Sequence, residues 1–437
     1  MRRHLKRQAR SYLSVNEWQI RLVMWGGAIF LGVAATFFAY ISEKANDVFY
    51  AALKISPYAA FVLSPLGLML CLWMTLRFFP GSEGSGIPQA IAAYEEGAPS
   101  ALRDKLFSLR IAFGKILVAV LSLCVGASIG REGPTVHVGA AFMHSFGKLM
   151  RYRPEYMERA LILAGGAAGI AAAFNTPLAG VVFAIEEVSR SFEEKTSGVV
   201  LAAVLVGGMT SLVLLGNYTY FGVSDAAFTS WHDWLIVPVA GIVGGGLGGL
   251  FSQMLVVAAR LVGPIRRRYP MRVALACGLA LALVGLLSGN TIFGTGYAQA
   301  KSLVTLTGTM PATYAPLKAL ATLISYLAGI PGGLFAPSLS AGAGFGSLLG
   351  HFFPHVPLGA LVILGMAGYF TGVVQTPITS FVIIMEMTSN QGILLPLIAV
   401  AFIARGASHL VCPEPIYQAL AASFRHKPDT APQTAPA

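Results

Sequence analysis

The sequence predicts an all-α membrane protein that crosses the bilayer several times and consists of two related halves. It has 437 residues, of which 55% are hydrophobic and only 11% are charged, whereas a soluble domain usually carries about a quarter charged residues. Runs without Asp, Glu, Lys or Arg cover residues 22–42, 55–76, 160–185, 196–224, 234–259 and 273–300. Each run reaches the roughly 20 residues that a transmembrane helix needs.

A longer uncharged run, residues 319–385, is interrupted repeatedly by Gly and Pro. We therefore expect it to form several helical segments, some of them too short to cross the bilayer. We expect all of these uncharged segments to lie in contact with membrane lipid.

Basic residues cluster at the ends of the chain and in loops, as at Arg2, Arg3, Lys6, Arg7, Arg10, Arg266, Arg267, Arg268, Arg405, Arg425 and Lys427. The positive-inside bias then predicts that both termini are cytoplasmic. The net charge of +11 reflects this topology and does not indicate a nucleic-acid partner. Residues 1–18 are predicted to be a basic cytoplasmic segment, and the Pro/Thr/Ala-rich residues 423–437 a disordered cytoplasmic tail.

An internal repeat relates the two halves. Residues 161–177 match residues 361–377 without a gap, and the match continues until each apolar run reaches a glutamate, Glu186 or Glu386. Upstream, residues 133–147 pair with residues 336–350. We place the halves at about 19–216 and 234–422. Transporters often hold their site between such repeats, on broken helices, and the pattern alone leaves open whether the repeats are parallel or inverted.

Three glycine-punctuated segments interrupt the apolar sequence: "GSEGSGIPQA" from Gly81, "GREGP" from Gly130 and "GIPGGLFAP" from Gly329. Glycine lets backbone N–H groups approach a ligand, and proline suits the first turn of a helix. A helix N-terminus offers unsatisfied donors and partial positive charge, which bind an anion without Lys or Arg. The alternative is that the glycines only allow close helix packing. Three segments with matching prolines favour an anion site.

No metal or cofactor site is predicted. Cys71, Cys124, Cys277 and Cys412 are far apart and show neither zinc nor disulfide spacing. His137 and His144 share a helix face but have no third ligand nearby.

Four motifs in order, from about residue 20 to residue 422, resemble the CLC family of chloride channels and proton/chloride exchangers. They are "GSGIP" from Gly84, "GREGP" from Gly130, "GGLFAP" ending at Pro337, and "PEPIYQAL" around Tyr417. The likeness is to the bacterial type, without cytoplasmic CBS domains. It implies two inverted repeats of tilted and broken helices, and a homodimer in the bacterial inner membrane with one pore in each subunit.

The resemblance also implies the roles of the site residues. The hydroxyls of Ser85 and Tyr417 and the backbone amides of Leu334 and Phe335 would bind a central chloride. The backbone amides from Arg131 to Gly133 would line an outer site. Glu132 resembles the external gating glutamate, and Glu187 the internal proton-transfer glutamate.

An ionised carboxylate carries the same charge as chloride, so Glu132 can occupy an anion site and leave it when protonated. A salt bridge to Arg131 is the structural alternative, although adjacent residues rarely face each other on a helix. Because channels of this family often lack the inner glutamate, the presence of both Glu132 and Glu187 favours proton/chloride exchange over a passive voltage- or pH-gated channel. Ser85 favours chloride over nitrate, and with GREGP it disfavours the fluoride-exporting branch.

Other polar residues have mainly structural interpretations. Glu186 is expected at a solvated helix end, and Glu386 in a helix-end or packing role. Lys115 would either favour anions by its charge or snorkel to the interface. Three residues, Ser338, Gln375 and Thr376, are expected to form hydrogen bonds between helices.

Gln89 and Ser191 depart from the best-known bacterial pattern, and Ser191 weakens the inference about how protons reach Glu187. An intramembrane enzyme with a Ser85 nucleophile would need a nearby base, and no HExxH, GxSxG or paired-acid motif occurs. A purely structural membrane scaffold is the other class considered. We therefore predict a transporter and no enzymatic activity.

Overall fold

The computed structural model describes residues 15–150, 154–190, 194–216 and 218–425. Within these ranges the chain forms helices joined by loops and contains no strand. The helices are α1 (Val15–Ile55), α2 (Ala60–Phe78), α3 (Ile87–Tyr94), α4 (Ser100–Leu106), α5 (Leu109–Cys124), α6 (Glu132–Gly147), α7 (Glu155–Phe174), α8 (Pro177–Phe183), α9 (Glu194–Leu215), α10 (Ile236–Arg268), α11 (Pro270–Leu287), α12 (Tyr297–Val304), α13 (Tyr314–Leu327), α14 (Phe335–Leu349), α15 (Leu358–Val374), α16 (Pro377–Thr388), α17 (Leu394–Val411) and α18 (Ile416–Ala421). A π-helical turn, Ala184–Ser189, continues α8, and a 3-10 turn, Trp231–Leu235, precedes α10.

Among the described residues, 8 helical segments are long and apolar enough to cross a membrane, which confirms a multi-pass membrane protein. The uncharged run 160–185 is long enough for a single transmembrane helix but forms two helices, because α7 ends at Phe174 and α8 begins at Pro177. The run 319–385 divides into several helices as predicted, and α16 has only 12 residues. Helix α1 begins at Val15, inside the predicted basic segment, whereas residues 1–14, Ser191 and residues 426–437 lie outside the described ranges.

The two halves pack in the same way. Helix α6 lies on α7 as α14 lies on α15, and α1 lies on α9 as α10 lies on α17. Helices α7 and α15 both end at a left-handed residue, Asn175 with φ 58° and Gln375 with φ 62°. A positive φ is uncommon outside glycine. Its occurrence at matched positions shows that the sequence repeat is also a structural repeat.

The repeats are inverted. Glu186, in the π-helical turn that continues α8, accepts hydrogen bonds of 3.1 and 2.6 Å from the first-turn amides of α16. Glu386, near the end of α16, accepts bonds of 3.2 and 2.8 Å from the first-turn amides of α8. Only an antiparallel pair places each helix end beside the other's start. The predicted inverted all-α fold is confirmed, as is the helix-end role of Glu386, whereas Glu186, predicted at a solvated helix end, is half-buried and also caps α16.

The predicted interhelical hydrogen bonds are found for one residue of three. Gln375 donates to Ser408 Oγ at 3.2 Å and to the Cys412 carbonyl at 2.6 Å. The Ser338 hydroxyl has no hydrogen-bond partner in the described part of the chain, so that prediction is wrong for Ser338, whereas the Thr376 hydroxyl faces the Glu187 carboxylate across the two helices.

Candidate functional site

The three glycine segments meet in the interior of the protein through backbone hydrogen bonds. Gly130 and Gly333 donate to each other's carbonyl oxygen at 2.7 Å. Gly84 donates to the Ile330 carbonyl at 3.2 Å, and Gly332 donates to the Gly84 carbonyl at 3.1 Å. The sequence predicted that these segments share a site, and the backbone brings them together across the two repeats.

Three helices begin at this junction: α3 at Ile87, α6 at Glu132 and α14 at Phe335. None of them has a side-chain cap. Their first-turn N–H groups lack intrahelical acceptors and carry partial positive charge, so they favour a bound anion. The turn before α3 requires glycine, because Gly86 has φ 108° and a Cβ there would lie 2.8 Å from the Gly133 carbonyl oxygen.

Two hydroxyl groups face each other at this junction. Ser85 and Tyr417 are fully buried and oppose one another, yet neither hydroxyl has a hydrogen-bond partner among the described residues. The Phe335 ring stacks on Tyr417, with 6.0 Å between the ring centroids. Buried polar groups without partners are costly and need an explanation. An anion between the two hydroxyls could accept a hydrogen bond from both.

The carboxylate of Glu132 lies at the start of α14. The side chain is fully buried, faces the backbone N–H of Ala336, and accepts a 3.5 Å hydrogen bond from the Tyr220 hydroxyl. No cationic group of the described chain lies within 4.0 Å of it. Arg131 instead donates to the Ala39 carbonyl at 2.7 Å, so the alternative of an Arg131–Glu132 salt bridge is wrong.

Glu187 lies in the π-helical turn that follows α8. Its side chain is buried, and neither carboxylate oxygen has a hydrogen-bond partner in the ranges described. It faces the Thr376 hydroxyl at the start of α16, and Arg190 supplies positive charge nearby. Single π-helical turns occur frequently at functional sites, and an acid at membrane depth is a functional-site candidate by default.

A cavity of about 300 Å³ adjoins the residue that follows Glu187. Its walls come from the end of α3, from α7, from the π-helical turn and from α18, and they include Glu95, Arg159, Val188 and Gln418. The cavity is therefore lined by Val188 and Gln418, the chain neighbours of Glu187 and Tyr417. Tyr417 itself is close enough to both Glu132 and Glu187 for their charges to act on it.

Lys115 is fully buried and donates to the Gly84 carbonyl at 3.2 Å. The snorkelling alternative is therefore wrong. Its side-chain nitrogen lies beside the turn that carries Ser85, where a positive charge would favour anions.

The structure thus brings seven of the predicted residues to the junction of the glycine segments or directly beside it, whereas Glu187 lies in the π-helical turn after α8. The seven are Ser85, Arg131, Glu132, Gly133, Leu334, Phe335 and Tyr417. Sequence reasoning missed Tyr220, which belongs to an irregular segment and carries no motif. Its only signal is that it lies within an uncharged run.

Comparison with known proteins gives a consistent result. The sequence profile described as "Voltage gated chloride channel" matches residues 66–409. An "H(+)/Cl(-) exchange transporter ClcA" of Yersinia pseudotuberculosis serotype IB (strain PB1/+) is 31% identical over 410 residues, covering 88% of this chain and 81% of the relative. The protein of the same name from Vibrio cholerae serotype O1 (strain M66-2) is 31% identical over 391 residues, covering 83% and 79%.

Solved structures share the fold. A slow cyanobacterial Cl-/H+ antiporter superposes with a TM-score of 0.80 at 23% identity, covering 93% of this chain and 97% of its own. A CLC-type fluoride/proton antiporter superposes with a TM-score of 0.77 at 22% identity, covering 93% and 98%. A eukaryotic CLC transporter gives 0.72 at 23% identity, covering 93% and 74%.

Proposed function

Because the chain belongs to the voltage-gated chloride channel family, the CLC family, we propose that it moves chloride across the membrane in exchange for protons. Its relatives from Yersinia and Vibrio are named H(+)/Cl(-) exchange transporters. These names support exchange rather than passive conduction, as does the presence of both Glu132 and Glu187 in the sequence.

One observation carries the proposal: the hydroxyls of Ser85 and Tyr417 are buried, face each other and lack partners. Chloride between them would accept both hydrogen bonds, and the amides of Leu334 and Phe335 at the start of α14 would complete the central site. The amides of Arg131 and Gly133 at the start of α6 would line the outer site. Because backbone dipoles and neutral hydroxyls supply the attraction, the anion is bound without a fixed cation in direct contact and can leave.

Proton coupling is assigned to the two buried carboxylates. Glu132 lies where an anion would bind at the start of α14, so the ionised side chain competes with chloride and the protonated side chain does not. Glu187 would exchange protons with the cytoplasm through the adjacent cavity of about 300 Å³. A passive channel would need only the anion site, and would leave a buried, unpartnered Glu187 without a role.

The same proposal covers assembly and location. One chain contains both hydroxyls and both carboxylates, which supports one complete pore in each subunit of a homodimer. Basic clusters support cytoplasmic termini, and the bacterial relatives support the inner membrane. The relatives are named exchange transporters, which supports transport rather than an enzymatic reaction.

The test is proton pumping by a chloride gradient. The purified protein is reconstituted in liposomes under a chloride gradient without a pH gradient, and external pH is recorded while a potassium ionophore clamps the voltage. Uphill proton movement opposite to chloride is expected. Chloride flux without proton movement would establish a channel and refute the role assigned to Glu187.

A further inference from the structure

Tyr220 belongs to an irregular segment, residues 218–229, which follows α9. The backbone N–H of Phe221 donates to the Met387 carbonyl at 2.9 Å, at the end of α16. The Tyr297 hydroxyl, from α12, donates to the Tyr220 carbonyl at 3.0 Å. The second half of the chain therefore holds both polar atoms of the peptide group that directly follows the Tyr220 side chain.

The Tyr220 ring is held on several sides. It is 2% exposed and makes edge contacts with Phe174 at 5.3 Å and with Tyr297 at 4.9 Å between centroids. Its hydroxyl donates to Glu132 Oε1 at 3.5 Å. In the described chain, no other side chain lies within hydrogen-bonding distance of that carboxylate. The phenol is thus the one side-chain donor that the carboxylate meets there.

We propose that the Tyr220 hydroxyl is a positioning group for the Glu132 gate, holding the ionised carboxylate in the anion site at the start of α14. This inference rests on the proposed function, because it concerns the same gate. It adds a residue from outside the four motifs, contributed by the segment that joins the two repeats.

The physical basis is that a phenol is a good donor to a charged acceptor. Hydrogen bonds to ionised groups are stronger than those between neutral groups, and in a water-poor interior the effect is larger. Donation from Tyr220 therefore stabilises the ionised gate in its blocking position. Without the hydroxyl, Glu132 is protonated at a lower proton concentration, so the path opens at a higher pH.

Other charged and titratable groups surround the gate and could also change the pH response. Arg131 lies next to it, with its guanidinium 5.9 Å from the Tyr220 ring centroid and 3.8 Å from Glu43. Tyr218 lies near Arg131, and Tyr417 lies across the anion site. An experiment must therefore separate the Tyr220 hydroxyl from these groups, which a second substitution at Glu132 does.

The test uses Tyr220→Phe, which keeps the ring and removes the hydroxyl. Chloride flux into liposomes is measured across a range of pH for the wild type, Tyr220→Phe, Glu132→Gln and the double variant. We expect Tyr220→Phe to raise the pH of half-maximal flux by about half to one unit, or about three- to tenfold in proton concentration. With Glu132→Gln, the Tyr220 substitution should add no shift. The matched control is Tyr369→Phe, a buried tyrosine of α15 that packs on Phe251, and its profile should be unchanged.

An unchanged profile for Tyr220→Phe, or an equal shift in the Glu132→Gln background, would overturn the inference. If Tyr220→Phe does not assemble, 3-fluorotyrosine at position 220 provides a second variant that keeps the ring and the hydroxyl. Its phenol is more acidic and therefore a stronger hydrogen-bond donor. This variant should lower the pH of half-maximal flux. Failure of the proposed function would look different, since the wild-type protein itself would then move no chloride or no protons.

Discussion

Glu186 and Glu386 cap each other's helices. Glu186 accepts hydrogen bonds from Ile378 and Thr379 at the start of α16, and Glu386 accepts them from Leu178 and Ala179 at the start of α8. Each carboxylate meets the partial positive charge of a helix N-terminus, which stabilises it. The pair ties the two inverted repeats together beside Glu187.

Removing either cap should reduce stability. Glu186→Ala and Glu386→Ala are each expected to lower the free energy of unfolding by about 0.5–2 kcal/mol, the usual worth of a helix cap. The midpoint of thermal unfolding in detergent measures the effect. Glu414→Ala is the control, because its 3.5 Å ion pair with Arg260 is exposed and such pairs contribute little. Equal midpoints for the cap variants and the control would contradict this role.

Substitution of Glu132 should remove pH control from chloride transport. In Glu132→Gln the side chain keeps its size but can no longer become a charged competitor for the anion site. We expect chloride flux that is nearly independent of pH, with proton transport abolished, in the liposome assay. If chloride flux through Glu132→Gln kept the wild-type pH profile, Glu132 would not be the gating residue.

Substitution of Glu187 should uncouple chloride transport from proton transport. Glu187→Gln removes the carboxylate to which we assign proton exchange but leaves the hydroxyls and amides of the proposed anion site in place. Chloride flux should persist, and a chloride gradient should no longer move protons uphill. Glu186→Gln is a neighbouring control that retains an oxygen to accept hydrogen bonds from α16, and its coupling should be retained. Intact coupling in Glu187→Gln would refute the assignment.

The facing hydroxyls should account for a large part of chloride affinity. Ser85→Ala and Tyr417→Phe each remove one hydrogen bond to an anion, which contributes about 1.5–3 kcal/mol. Binding should weaken roughly ten- to hundredfold in each variant, as measured by calorimetry on the purified protein. Tyr369→Phe again provides a buried tyrosine, one that packs on Phe251 of α10, and its affinity should equal that of the wild type.

A methyl group at position 133 should disrupt the central site. The Cβ of Gly133→Ala would overlap Ser85 Oγ, so the serine hydroxyl would have to turn away from the anion. Chloride affinity should fall at least as far as in Ser85→Ala. Gly246→Ala is the matched control, because a Cβ at Gly246 in α10 meets nothing within 4 Å. Normal affinity in Gly133→Ala would show that Ser85 does not bind the anion.

Sequence reasoning found the features that short segments encode. Glycine and proline mark the helix starts at Ile87, Glu132 and Phe335, because those residues have strong local backbone preferences. The repeat was visible because matched helices need similar small and apolar residues where they pack. Ser85, Glu132, Glu187 and Tyr417 came from the resemblance to the CLC family, and all four are buried in the structure.

What sequence reasoning missed depends on contacts between distant residues. Tyr220 meets a carboxylate 88 positions away, and no local pattern encodes that pairing. The cap that Glu186 forms on α16 was missed because a glutamate at the end of an apolar run looks the same whether water or another helix faces it. The break at Asn175 was missed because hydrophobicity does not report a left-handed backbone.

The paired glycines, Gly130 and Gly333, also constrain how the protein is made. During translation, the Gly130 loop leaves the ribosome 203 residues before its partner, which at roughly 5–20 residues per second is about 10–40 s. An unpaired peptide group in hydrocarbon costs several kcal/mol, so the first half cannot settle fully into lipid during that interval. Insertion machinery that offers a wet or shielded environment has to hold the nascent first half until the second arrives.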